Sequence, residues 1–200
     1  MLRLILGAAA AAVAMLVVAF LFFATPLDGI GTHSLGDEQA AQLQASLKVI
    51  VPATGTYAVP NPSTAAQTVM YGSGPVATVH FNASGYAAGN ATMLVWGFAL
   101  NFVTALLAGF GLLALGRRVP DFASRARLVV ALSVGAAAYI HLGRALYQHH
   151  DLANVLYLLA GDAAALSLGG LIVAWFLPSH DRPATITHRL VSKETDLEKH

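Results

Sequence analysis

Two shortages limit what this chain can be: it has no cysteine and few charged residues. Without cysteine there is no disulfide, thiolate metal site, iron–sulfur cluster or cysteine nucleophile. Asp, Glu, Lys and Arg make up 10% of the 200 residues, whereas a soluble globular chain carries roughly 25%. Hydrophobic residues make up 56% and the mean hydropathy is +0.64, so the composition indicates a membrane protein. The net charge of +1 gives no reason to expect a nucleic-acid partner.

Motifs of several enzyme classes are also missing. The sequence has no Gly-x-Ser-x-Gly, His-Glu-x-x-His, P-loop or Gly-x-Gly-x-x-Gly motif. Haem between membrane helices usually needs two facing histidines, and His141 alone lies within an apolar stretch, so only a pair of His141 residues from two copies could hold one. We therefore expect no resident cofactor, and a protein that is more an interaction partner than an enzyme.

Four stretches are long and apolar enough to cross the ~30 Å core of a bilayer, at roughly 4–24, 92–115, 128–147 and 153–177. The first has an apolar run longer than the ~7–15 residues of a signal peptide, and no Ala-x-Ala site follows it. It is therefore predicted to be an uncleaved anchor. The expected domains are an anchor (1–25), a periplasmic α/β segment (26–91), a three-helix bundle (92–177) and a cytoplasmic tail (178–200).

The distribution of basic residues predicts the orientation, since short cytoplasmic loops are enriched in Lys and Arg. The 25–91 segment contains only Lys48, and the Gln-His-His-Asp turn at 148–151 contains none. Both are predicted to lie outside, with the two termini and the 117–127 loop in the cytoplasm. The basic residues on the cytoplasmic side would be Arg3, Arg117, Arg118, Arg125, Arg127, Arg182, Arg189, Lys193 and Lys199.

The exported segment has the signals of a small α/β layer. A helix is expected from Asp37 and Glu38, and a strand is expected in Gly-Thr-Tyr-Ala-Val before Pro60. Ser63 is a candidate cap of a second helix that ends at Gly72 or Gly74. Alternating residues from 76 to 82 indicate a second strand. Because this segment supports only a small core, we expect it to rest on the outer ends of the helices, and we expect the tail to be poorly ordered.

The order of these elements resembles a group of uncharacterised bacterial four-span inner-membrane proteins. The shared pattern is a Pro after the first span, an acidic helix start, Gly-x-Tyr-x-x-Pro and a Gly-Pro pair before the next span. Here these are Pro26, Asp37-Glu38, the stretch from Gly55 to Pro60, and Gly74-Pro75, within residues 20–115. The resemblance implies an exported α/β segment between spans and carries no known activity or catalytic residue.

The apolar stretches contain a few polar residues at similar depths. With a rise of 1.5 Å per residue, Asn101 and Asp162 each lie roughly 14 Å from the outer surface and His141 about 9 Å. Arg144 is one turn above His141, and we expect it to pair with Asp162 while His141 and Asn101 supply hydrogen bonds. Small residues spaced four apart predict close contact between these helices; they are Gly97, Ala105, Gly109, Ala137, Ala145, Gly161, Ala165 and Gly169.

This polar cluster has three interpretations. It could be an interhelical clamp that fixes helix order, or a site for a quinone, lipid or proton. The third interpretation is that these polar side chains do not pair with one another and contact water instead. Arg144 could also extend toward the surface. A metal site outside the membrane is a weaker hypothesis, with His149, His150 and Asp151 as ligands.

The fold predicted from the sequence is a four-transmembrane-helix bundle with a small periplasmic α/β insertion between helices 1 and 2. The predicted function is that of an accessory subunit, whose partners are the lipid bilayer and either another membrane protein or a second copy of the chain. A small-molecule site in the bundle is the first alternative, and periplasmic metal binding or sensing is the second.

Overall fold

A computed structural model describes residues 1–87 and 89–178, and four of its helices are long and apolar enough to span a membrane. The elements in chain order are α1 (Leu2–Phe23), α2 (Asp37–Ile50), β1 (Gly55–Val59), α3 (Ala65–Ser73), β2 (Ala77–Phe81), α4 (Ala91–Leu115), α5 (Phe122–Gln148) and α6 (Leu152–Phe176). Short 3-10 helices follow α1 at Pro26–Ile30 and α4 at Gly116–Arg118. Apart from Pro178, the predicted tail lies outside the described residues.

The two ends of the bundle are named here by their connections. The hairpin end carries the turn 149–151 between α5 and α6, and the arginine end carries the loop 116–121 between α4 and α5. Helix α5 starts at Phe122 rather than at 128 because Asp121 caps it: its Oδ1 accepts a hydrogen bond from the Ser124 amide at 2.9 Å. The other three spans have nearly the predicted bounds.

Helix α1 joins α4 to α6. It packs against both of them, while α6 also packs against α5 and, less extensively, against α4. The predicted small-residue contacts exist on α4 and α6, but they receive side chains of α1. A Cβ at Gly109 would overlap a Leu4 methyl, and one at Gly169 would lie 2.5 Å from the sulfur of Met15. The alanine-rich first span is therefore the helix around which α4 and α6 assemble.

Gly109 tests this packing, because Gly111 on the same helix is a matched control. The Gly109→Ala substitution places a methyl against buried Leu4 and at 3.0 Å from Val173, so we expect it to destabilise the bundle by about 1–3 kcal/mol. A Cβ at Gly111 meets nothing within 4 Å, so Gly111→Ala should be neutral or stabilising. Unfolding in detergent measures both variants, and equal stabilities would contradict the α1 packing described here.

The end of α1 is held by two side chains of α6. The Tyr157 hydroxyl donates to the Phe22 carbonyl, and Asn154 Nδ2 donates to the Gly31 carbonyl at 2.8 Å. Gly31 is needed for this approach, since a Cβ there would lie 2.6 Å from the Tyr157 ring. These contacts fix the point at which the chain leaves the bundle for the segment between α1 and α4.

The segment between α1 and α4 has the predicted helix–strand–helix–strand order. Its strands form an antiparallel pair in which Tyr57 is opposite Val79, and Thr56 Oγ1 lies 3.1 Å from His80 Nδ1. The cap of α3 is Thr64 rather than Ser63, because Thr64 Oγ1 accepts from the Gln67 amide at 3.2 Å. The peptide bonds before Pro60 and Pro75 are cis.

This segment has no closed core. Among its described residues, none from 32 to 90 is buried. The exposed large apolar side chains on α2 and α3 are Leu43, Val49, Ile50, Val69 and Met70. Contact with the bundle occurs at the end of α5, where the ring of Tyr71 lies 6.3 Å from that of His149. The segment thus presents helices with exposed apolar side chains beside the hairpin end.

Candidate functional site

The candidate site lies on the α5–α6 hairpin, which a short turn closes. His149 has the left-handed conformation, with φ 53°, and its amide donates to the Arg144 carbonyl to end α5. Asp151 Oδ2 accepts from the Asn154 amide at 2.9 Å and begins α6. This antiparallel hairpin brings residues from the middle of the two helices together.

His141 and Asp162 form the one polar contact between α5 and α6 side chains in residues 1–87 and 89–178. His141 Nε2 lies 2.7 Å from Asp162 Oδ2. The two residues differ in environment, since His141 is 4% exposed and the Asp162 side chain is 48% exposed. Only one member of the pair is covered by the bundle.

The hydrogen bonding favours one form of His141. Its Nδ1 is buried and has no hydrogen-bond partner within the described part of the chain. A hydrogen on Nδ1 would be a buried donor without an acceptor, which costs about 1–3 kcal/mol. With its hydrogen on Nε2 the ring donates to Asp162, and Nδ1 is then a buried acceptor without a partner in the described chain. We therefore assign Nε2 as the donor and Asp162 Oδ2 as the acceptor of this contact.

The depth of Asp162 makes its exposure costly. It lies ten residues after Leu152, the first residue of α6, which places it about 15 Å along the helix. For a helix that spans a bilayer, this distance corresponds to about the middle of the ~30 Å apolar core. Ionisable side chains at this depth nearly always face a bundle interior or a water-filled cavity. In an α6 that spans a bilayer, the half-exposed carboxylate of Asp162 would lie at a level where lipid offers no hydrogen bonds.

Arg144 and Asn101 do not join the pair. Arg144 is exposed, and the predicted ion pair between Arg144 and Asp162 is not formed among the described residues. Arg144 is only one turn from the end of α5, so its long side chain can extend toward the polar boundary. Asn101 lies half-buried on α4, and its side chain has no hydrogen bond in the described ranges. Helix α4 is held by α1 and makes little contact with α5.

A groove of about 570 Å³ separates α4 from α5 in the half of the bundle nearer the arginine end. Leu166, one turn after Asp162 on the same face of α6, lines this groove. Ala105 lines it as well and has the same relation to Asn101 on α4. Asp162 and Asn101 therefore lie on the same helix faces as the groove residues. They are one turn closer to the hairpin end than the apolar groove itself.

The hairpin turn gives little support for a metal site. The Asp151 carboxylate already caps α6, and no group of three or more His, Asp or Glu residues in the described chain could hold a metal. His149 and His150 instead line a second cavity, of about 400 Å³, shared with Tyr71 and the two strands. The expectation that the chain has no resident cofactor stays a prediction.

Arg125 is a buried charge that the sequence pattern did not single out. It is 3% exposed, and its guanidinium donates to the carbonyls of Leu177 and Pro178 beyond α6 at 3.0 and 2.8 Å. It also donates to Val119 and Pro120 in the loop before α5. In the sequence it was counted only among the basic residues of the 117–127 loop. The acceptors are backbone carbonyls, which leave no signal in the sequence.

Protein-family models give no match to the chain, and curated proteins and solved structures give none either.

Proposed function

We propose that this chain is an accessory subunit of a membrane complex in the inner membrane of a bacterium. In this proposal both termini and the arginine end are cytoplasmic, and the segment between α1 and α4 is periplasmic. The chain docks on a larger membrane protein through the hairpin half of its bundle. The orientation is supported by the basic residues, which lie almost entirely on one side of the four spans.

The observation that carries the proposal is the half-exposed carboxylate of Asp162. Its side chain is 48% exposed and has one partner, His141, among the residues described. A charged group at this depth costs at least ~2.5 kcal/mol on insertion scales. A second membrane protein that covers Asp162 with a hydrogen-bond donor would offset that cost. The partner is therefore expected to bring a Lys or Arg side chain to the middle of the membrane.

Two further surfaces near the hairpin end are exposed. Within the described residues, helix α5 packs mainly against α6, and Tyr139 is 86% exposed and Arg144 is exposed. Outside the membrane, Leu43 and Ile50 share a stripe on α2 and are 49% and 76% exposed. Exposed apolar surface of this kind is typical of interaction sites. All these surfaces could be covered by one partner that spans the membrane and extends into the periplasm.

Purification of the tagged chain from native membranes in a mild detergent tests this proposal. We expect a second integral membrane protein to co-purify in near-stoichiometric amount and to remain bound to the chain during size-exclusion chromatography. Recovery of the chain alone, as a monomer with catalytic turnover of its own, would contradict the proposal.

One observation favours a second candidate function, a proton or quinone site in the bundle. His141 Nδ1 is a buried acceptor without a partner in the described chain, next to a carboxylate that is partly open. Such a His–Asp pair could take up a proton at Nδ1, and the protonated Nδ1 could then donate a hydrogen bond to a quinone carbonyl. In this case the purified chain alone, reconstituted in vesicles, would bind a quinone or conduct protons, and Asp162→Asn would abolish that activity without loss of any partner.

A further inference from the structure

We propose that the groove between α4 and α5 binds an acyl chain of an anionic phospholipid, whose phosphate lies against Arg117 and Arg118. The site is separate from the docking surface around Asp162, because it lies in the other half of the bundle. It needs membrane insertion but no protein partner.

The lining of the groove suits a hydrocarbon chain. Its residues come from all four long helices, and only two of them, Thr104 and Ser133, carry a polar side chain. The Thr104 hydroxyl already donates to the Leu100 carbonyl at 2.9 Å. Small residues keep the groove open, as at Gly111, where an added Cβ would meet nothing within 4 Å. An apolar, preformed groove of about 570 Å³ is within the range of ligand sites.

The length of the groove matches one leaflet. On α4 its lining runs from Thr104 to Leu115, which is about 16 Å at 1.5 Å per residue. One leaflet contributes half of the ~30 Å apolar core. Toward the hairpin end the same faces carry Asn101 and Asp162, which are unsuited to hydrocarbon. A partner helix would need apolar surface along the whole span, whereas an acyl chain needs only this half.

Two arginines at the arginine end of the groove supply the contact with the lipid headgroup. The loop 116–121 joins the two helices that form the walls of the groove, so it crosses the groove at the arginine end. Arg117 and Arg118 in this loop are exposed and have no acidic partner in the described ranges. Basic pockets between membrane helices bind anionic lipid headgroups. Arg125 is not available for this contact, since its guanidinium is occupied by backbone carbonyls.

Native mass spectrometry of the full chain in mild detergent tests the proposal. The probes are phosphatidylglycerol and phosphatidylcholine with identical acyl chains, titrated separately. We expect the anionic lipid to bind more tightly. The double variant Arg117→Gln/Arg118→Gln should weaken phosphatidylglycerol binding by about fivefold per arginine and leave phosphatidylcholine unchanged. Arg127→Gln is the control, because Arg127 is exposed at the same end but lies about 200° around α5 from the groove residue Val129.

The groove itself is tested by Gly111→Phe, which should weaken the binding of both lipids at least tenfold. Its control is Gly135→Phe on α5, where an added Cβ also meets nothing within 4 Å and which does not line the groove. If Gly111→Phe does not fold, Ala108→Leu narrows the same groove, and the arginine variants are still informative. The proposal is overturned if the two glycine variants bind lipid equally, if the arginine pair does not change the preference, or if the groove holds a second copy in a dimer that Gly111→Phe dissociates.

Discussion

Asp162→Asn is expected to release the chain from its membrane partner while leaving its fold intact. The asparagine carbonyl can still accept a hydrogen bond from His141 Nε2, so the contact between α5 and α6 at 2.7 Å persists. The charge that the partner neutralises is lost, and truncating one side of a buried charge pair costs about 2–5 kcal/mol. The amount of partner recovered with the tagged chain should fall more than about 30-fold, while the unfolding midpoint in detergent changes little.

Two further variants separate docking from a structural clamp. Ser167→Ala removes a polar group from the same helix and should retain the partner. Asp162→Leu leaves the His141 N–H buried without an acceptor, so it should destabilise the fold by about 1–3 kcal/mol. If Asp162→Asn unfolds the chain as readily as Asp162→Leu, the pair serves as a clamp between α5 and α6. If Asp162→Asn retains as much partner as Ser167→Ala, the carboxylate has no part in docking.

Arg125→Met should cause the largest loss of stability among single substitutions of charged residues. The guanidinium donates to four backbone carbonyls, two beyond α6 and two before α5. Methionine preserves much of the apolar stem but none of the donors. Leu177 is 6% exposed, so its carbonyl would be left without water or protein as a partner. We expect a loss of about 3 kcal/mol in the free energy of unfolding, measured by denaturation in mixed micelles.

Arg127→Met is the matched control, because Arg127 is an exposed arginine only two residues away. Its substitution should change the free energy of unfolding by no more than about 0.5 kcal/mol. The loss of stability for Arg125→Lys should be intermediate between those for Arg125→Met and Arg127→Met, since one ammonium group cannot reach four carbonyls. Equal stabilities for Arg125→Met and Arg127→Met would show that the contacts of Arg125 contribute nothing.

The sequence allowed the prediction of element type and depth. Apolar length located the four spans, and local signals such as Asp37-Glu38 and Pro60 located the helices and strands between α1 and α4. The same depth arithmetic placed His141 and Asp162 at neighbouring levels, and these two residues are in contact. These features depend on residues that are close in sequence or on the fixed rise of a helix.

Lateral arrangement could not be predicted in the same way. Asn101 was predicted to hydrogen-bond within the polar cluster, but α4 packs on α1 and is separated from α5 by the groove. The spacing of Gly109 and Gly169 predicted close helix contacts without naming α1 as the partner of both. The carbonyl that Arg125 reaches at Leu177 is 52 residues away. Each of these facts depends on which helices are neighbours, and apolar helices in a membrane carry little sequence information about that choice.

The central claim, that another membrane protein covers the hairpin half of the bundle, is tested most directly by photo-crosslinking in intact membranes. A photoreactive amino acid at Ile140, which is 51% exposed and one turn from the groove residue Ala136, should capture one discrete integral membrane protein. The same probe at Val134, which is 44% exposed and does not line the groove, should not capture it. The claim would be contradicted if the probe at Ile140 crosslinked only to lipid and gave the same products as the probe at Val134.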